Sequence, residues 1–137
     1  MYPEQRQLQV EGPWGGRLAR LAKAARIVWL VSLAVTAGLA LYPKSGMLGG
    51  EMLTVRADYW GHTLVWIWLA ALPFCFERRA ARAARLALLA LPYGLLLETL
   101  QIFVPGRSFE LGDLASDALG TALGMALGLV LSRLGRA

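Results

Sequence analysis

The chain has 137 residues, of which 57% are hydrophobic, and a formal net charge of +5. Soluble domains are roughly 45–50% apolar, so a single domain of this size cannot bury the surplus, and the excess has to face lipid. The basic balance does not point to nucleic acid, because the Lys and Arg residues fall in short clusters between apolar runs, where the positive-inside rule places them.

Residues 1–23 carry Pro3, Gly12, Pro13, Gly15 and Gly16 with no periodic pattern and are expected to form a cytoplasmic tail. Its end is a basic stripe, Arg17, Arg20, Lys23 and then Arg26, suited to an anionic leaflet. Residues 24–137 read as one membrane domain. Its first apolar run extends from about Ala24 to Tyr42 and stops at Pro43. Gly38-Leu39-Ala40 has the look of a cleavage site. The basic segment ahead of it is much longer than an ordinary signal-peptide head, so an uncleaved helix is expected. The second run, Tyr59 to Phe76, is rich in Trp (Trp60, Trp66, Trp68) and contains Pro73 as an expected kink. These Trp read as an interfacial belt and lipid-facing anchors. Cys75, the single cysteine, excludes an intrachain disulfide and reads as buried. The third run is Leu86 to Val104, ending before Pro105, and the fourth is Leu114 to Leu131. At about 1.5 Å per residue each run gives about 27–29 Å, close to the hydrocarbon thickness. An all-α integral membrane bundle of four transmembrane helices follows.

Charge sets the orientation. Eleven of the fourteen Lys and Arg lie in the N-terminal segment, the connection between runs two and three, and the C-terminus. Only Lys44, Arg56 and Arg107 lie in the other two loops. Both termini are therefore expected in the cytoplasm, in a plasma (inner) membrane.

Within that topology the polar residues share a depth. The start of run two, the end of run three and the start of run four are all outer ends. They hold Asp58, His62, Glu98, Gln101, Arg107, Asp113 and Asp117. A charge at the centre of a spanning helix costs about 2.5–3.5 kcal/mol on insertion scales, so a shared layer of them implies a purpose. Gly120, Gly124 and Gly128 continue the face of Asp113 and Asp117 as a small-residue ridge that admits a close neighbour, and this turns the aspartates inward.

The segment Glu98-Thr-Leu-Gln101-Ile-Phe-Val-Pro105-Gly106-Arg107, followed by Asp113, Asp117, Gly120 and Gly124, resembles the signature of the VanZ-like family. The upstream Asp58-Tyr-Trp-Gly-His62 is similar to that family's second motif. The resemblance covers roughly residues 58–124 and implies a four-helix, cell-envelope protein. The founding member is linked to teicoplanin resistance. Tyr59 and Asp117 depart from the Lys and Asn often found at those positions.

Several roles stay open. In a catalytic reading His62 is a general base whose tautomer is fixed by Asp58 or Glu98, with Ser108 the nearest hydroxyl. Ligand contacts are expected from Arg107, which suits phosphate or carboxylate, and from Gln101, Asp113, Asp117 and Ser108. No cofactor is expected. A divalent metal on Asp58, His62, Glu98, Asp113 and Asp117 is the lesser reading, because the spacing matches no metal motif. The expected partners are the lipid bilayer and a lipid-linked envelope precursor or amphipathic, glycopeptide-type ligand, with no nucleic acid. A structural or assembly subunit is the alternative. In that case the same polar groups act as glue, with His62 bonding Asp58 or Glu98 and Arg107 pairing with Asp113.

Overall fold

The computed structural model describes residues 15–43 and 51–134, with side chains from residue 16 in the first segment and from Trp60 in the second. Among the described residues the chain is all helical. The elements are α1 (Gly15–Ala40), α2 (Glu51–Ala71), α3 (Pro73–Phe76), α4 (Ala80–Leu88), α5 (Ala90–Gln101) and α6 (Leu111–Leu134). They form four rods, because α3 continues α2 and α5 continues α4.

Both interruptions have the same cause. A proline inside a helix lacks an N–H, and its ring crowds the carbonyl four residues back. Pro73 separates α2 from α3, as its position predicts, and starts α3 at the position where a missing N–H is harmless. Pro92 acts likewise on the third apolar run, which breaks at Leu89 rather than running through. The Leu89 N–H is shared between the carbonyls of Arg85 and Leu86. Helix α1 begins at Gly15 and so takes in the whole basic stripe.

Burial is inverted relative to a water-soluble domain. Gln101, Glu98, Thr121 and Asp117 are among the largest fully buried side chains, whereas Leu39, Trp60, Leu64, Phe103 and Leu131 are more than half exposed. Charged residues are almost never fully buried in soluble proteins unless paired. Residues 80–101 and 111–134 are each long and apolar enough to cross a membrane, and Trp60–Phe76 is a shorter apolar helix. Together these features describe a membrane protein.

The most extensive packing is between α2 and α6. Gly120 lies against the Thr63 carbonyl, Gly124 against the Ile67 carbonyl and Gly128 against the Phe74 ring, each closer than a Cβ could approach. Removing the side chain from α6 every fourth residue lets backbone meet backbone, the means of close association in lipid. Helix α1 docks on α2 and α5 by hydrogen bonds. The Trp29 Nε1–H donates to the Leu69 carbonyl at 2.9 Å and the Trp68 Nε1–H to Ser32 Oγ at 3.1 Å, while the Tyr93 hydroxyl donates to the Leu33 carbonyl.

Two sequence expectations need correction. Trp66 is not a lipid-facing anchor: it is buried against Leu69 and Ala90, with its ring edge-on to Tyr93. The close approach permitted by the neighbouring glycines draws it inward. Cys75 is exposed rather than buried, because the turn at Pro73 rotates α3 so that Phe74 faces the core instead.

A methyl group at the seam has nowhere to go. Gly124→Ala is expected to destabilise the protein by about 1–3 kcal/mol through overpacking, read as a lower unfolding midpoint in detergent. Leu123→Ala, one residue away on the exposed face, is expected to change stability by about 0.5 kcal/mol or less.

Candidate functional site

The glycine seam sets the middle of α2 beside the first turns of α6, and the site forms there. His62 of α2 and Asp117 of α6 meet at 3.1 Å, Nδ1 to Oδ1. A carboxylate acceptor at Nδ1 keeps a proton on that nitrogen. The other, Nε2, faces Asp113 Oδ2 at 3.7 Å, one turn earlier on α6. The imidazole is therefore held between two aspartates of a single helix. The second oxygen of Asp117 rests on Gly94 of α5, where an added Cβ would lie 2.7 Å from Oδ2 and 3.1 Å from the Trp66 ring.

Glu98 completes the group from α5. Its Oε2 accepts the backbone N–H of Glu110 at 3.3 Å, which ties the carboxylate to the loop ahead of α6. His62, Glu98 and Asp113 each present a ligand atom, all within 4.8 Å of one another. Glu98 and Asp117 are only 2% exposed. Carboxylates this buried in an apolar helix bundle carry a large desolvation cost and mark a site by default.

The Pro-Gly-Arg run serves geometry first. Pro105 and Gly106 occupy the centre of a tight turn closed by the Arg107 N–H on the Val104 carbonyl at 3.1 Å, and Gly106 has φ 78°. Pro followed by a residue at positive φ is the type II pattern. The turn sends Arg107 back to the end of α1. There Nη2 donates to the Leu39 carbonyl at 2.9 Å and Nε to the Tyr42 carbonyl at 3.4 Å. Gln101 Nε2 donates to the neighbouring Ala40 carbonyl at 3.1 Å. The last carbonyls of a helix lack partners within it, so Gln101 and Arg107 together cap α1 from another helix.

A cavity of about 220 Å³ joins these parts, lined by His62, Glu98, Gln101, Arg107 and Asp117 together with apolar residues that include Leu39, Val65 and Trp66. A larger groove of about 730 Å³ is lined mostly by apolar residues such as Leu18, Trp68, Phe74 and Leu131, with Glu77, Arg78 and Ser132 among them, and holds none of the site residues.

The structure thus brings together His62, Glu98, Gln101, Arg107, Asp113 and Asp117. It places Ser108 elsewhere, with its hydroxyl donating to Glu110 Oε1 at 3.2 Å. The Asp58 side chain lies outside the described residues. Two expected pairings are replaced. His62 bonds Asp117 rather than Glu98, and Arg107 bonds helix carbonyls rather than Asp113. The sequence reading missed Trp66 and Thr36 as cavity walls. The small-residue spacing that buries Trp66 was available as a signal, whereas Thr36 had none.

Residues 27–132, most of the chain, match the family model described as VanZ/LLP1. Among curated proteins and among solved structures, none matches the chain.

Because His62 is the only histidine, its imidazole nitrogens give an unambiguous NMR signature. Gly94→Ala forces the Asp117 carboxylate to move, and is expected to shift the His62 Nδ1 resonance in the same direction as Asp117→Asn. The fold is expected to persist, because the atom displaced is the tip of a side chain.

Proposed function

The chain belongs to the VanZ/LLP1 family, and from that premise we propose that it is a four-span inner-membrane protein with an outward-facing polar pocket. The pocket takes the polar head of a lipid-anchored envelope component or of an amphipathic, glycopeptide-type antibiotic. The observation that carries this reading is the cavity itself. Its lining combines an imidazole, two buried carboxylates and a guanidinium with apolar side chains. A ligand that is charged at one end and hydrophobic at the other fits both.

The supporting arguments are independent of one another. Four rods are available as crossings: residues 80–101 and 111–134 are long and apolar enough to span, and Trp60–Phe76 is a shorter apolar helix. The distribution of Lys and Arg supports a cytoplasmic side for the termini and the Arg78–Arg85 connection, with the end of α5 and the start of α6 facing outward. Arg107 uses two donors on the end of α1. A guanidinium has five in a planar fork, leaving others for a phosphate or carboxylate at the cavity mouth. Glu98 and His62 can bind, or can relay a proton to, a headgroup seated there.

One observation favours a second reading, a non-catalytic assembly subunit. Gln101 and Arg107 make interhelical bonds that hold α1 in place. Such bonds average only about 0.6 kcal/mol in membranes, too little to account for the buried acids as glue.

Two experiments test the proposal. In a Cys75→Ser background, Phe109→Cys is expected to react with a membrane-impermeant maleimide from outside intact cells, and Arg82→Cys only after permeabilisation. The reverse pattern overturns the orientation. In nanodiscs, with a lipid-linked peptidoglycan precursor and teicoplanin as probes, Glu98→Gln and His62→Ala are expected to weaken binding about tenfold or more, about 1.4 kcal/mol, at an unchanged unfolding midpoint. Loss of folding in both variants would instead establish the assembly reading.

A further inference from the structure

We propose that His62, Glu98 and Asp113 bind a divalent transition-metal cation of the Mn²⁺–Zn²⁺ class, with Asp117 as the residue that orients the imidazole. The inference deepens the pocket reading above and rests on it for the cation's purpose, which is to receive an anionic headgroup.

Geometry comes first. The three ligand atoms come from three different helices, α2, α5 and the first turn of α6, and lie within 4.8 Å of one another. Bonds of about 2.1 Å place tetrahedral ligand atoms about 3.4 Å apart and trans octahedral ones about 4.2 Å apart. Rotamer adjustments of about 1 Å close the set. The separation of the ligands along the chain also explains why no sequence spacing announced them.

The hydrogen bonds around the ligands are those a metal site requires. A metal-binding histidine almost always donates its other ring N–H to a carboxylate or carbonyl. Here the Nδ1–H donates to Asp117 at 3.1 Å, and Asp117 is itself seated against Gly94. Nε2 faces Asp113 Oδ2, 3.7 Å away, and a cation between the two would take the place that a proton on Nε2 otherwise fills. Glu98 is fixed in turn by the Glu110 N–H.

Charge argues the same way. Three carboxylates surround one imidazole in a buried setting, where like charges repel strongly, and a divalent cation offsets that repulsion. One nitrogen with two carboxylate oxygens suits Mn²⁺ to Zn²⁺ better than Cu⁺, which favours sulfur. Three protein ligands leave a coordination position open, as in catalytic rather than structural sites, and the adjoining 220 Å³ cavity gives a phosphate or carboxylate oxygen access to it.

The test uses the full chain in nanodiscs, without a histidine tag, stripped with EDTA and dialysed against ZnCl₂ or MnCl₂. Mass spectrometry of the bound metal is expected to give about one ion per chain, and Zn²⁺ is expected to shift the His62 Nε2 resonance. Asp113→Asn and His62→Gln are expected to abolish both effects. Asp117→Asn is expected to weaken binding by about 10–100-fold, the usual loss when a ligand's orienting partner is removed. Wild-type protein that is monodisperse yet retains neither metal overturns the proposal, as does equal retention by Asp113→Asn and His62→Gln. Should those variants fail to fold, the wild-type Nε2 resonance decides alone, an unmoved signal being the negative. Binding of the lipid-linked precursor in EDTA by metal-free protein would sink the metal and spare the pocket. One bound metal with no binding of either probe would do the opposite.

Discussion

The glycine seam between α2 and α6 is the constraint on which the rest depends. Lipid offers no hydrophobic drive to associate two apolar helices, so close packing has to supply it. Gly120, Gly124 and Gly128 let α6 lie directly on the carbonyls of Thr63 and Ile67 and on the Phe74 ring. Once that register is set, His62 has no freedom in which acid it meets. Asp117 lies one turn from Gly120, and Asp113 one turn beyond it. The same closeness leaves room for only one bulky side chain, and Trp66 fills it between Gly120 and Gly94.

Helix α1 is attached by different means. Its large apolar residues, among them Ile27, Leu30, Val35 and Leu39, are mostly exposed, so it docks through indole and phenol donors along its length and through Gln101 and Arg107 at its end. The Pro-Gly turn exists to deliver that last contact. A positive φ at Gly106 reverses the chain just past α5, and the reversal carries Arg107 across to the Leu39 and Tyr42 carbonyls at the end of α1. The segment that looks most like an anion-binding loop in the sequence is thus first a clasp between helices. Any ligand it also holds inherits the position of α1, which couples pocket shape to the seating of a helix remote from the acids.

Much of this was legible in the sequence, for identifiable reasons. Helical periodicity placed Asp113, Asp117 and the three glycines on one face, and the alternation of directions along the runs put His62, Glu98 and Asp117 at one level. What periodicity could not give is the partner of each group. Spacing of four pointed from His62 along its own helix, and nothing in it reveals the contact with Asp117 of α6, because rotation of one helix about another is fixed by packing rather than by sequence separation. Arg107 illustrates the same limit: an arginine in a loop signals an anion, and nothing local reveals that unsatisfied carbonyls wait across the bundle. Trp66 misled for a related reason. Tryptophan in a spanning helix usually sits at the interface, and only the gap left by Gly94 and Gly120 makes it a core residue. Pro92 was overlooked because the apolar run continues unbroken through it, and a hydropathy pattern is blind to a missing N–H.

The polar end of the bundle is built in two layers that serve different ends. The outer layer, Gln101 and Arg107, spends its donors on backbone. The inner layer gathers three acids, Glu98, Asp113 and Asp117, around one imidazole whose Nδ1–H points at Asp117. Three carboxyl groups about one imidazole beside a cavity form an arrangement that positive charge completes, whether a proton relayed through His62 or a cation held there. Dimensions favour the cation, because one proton can bridge only one of the facing oxygens, whereas a divalent ion satisfies three ligands drawn from three helices at once.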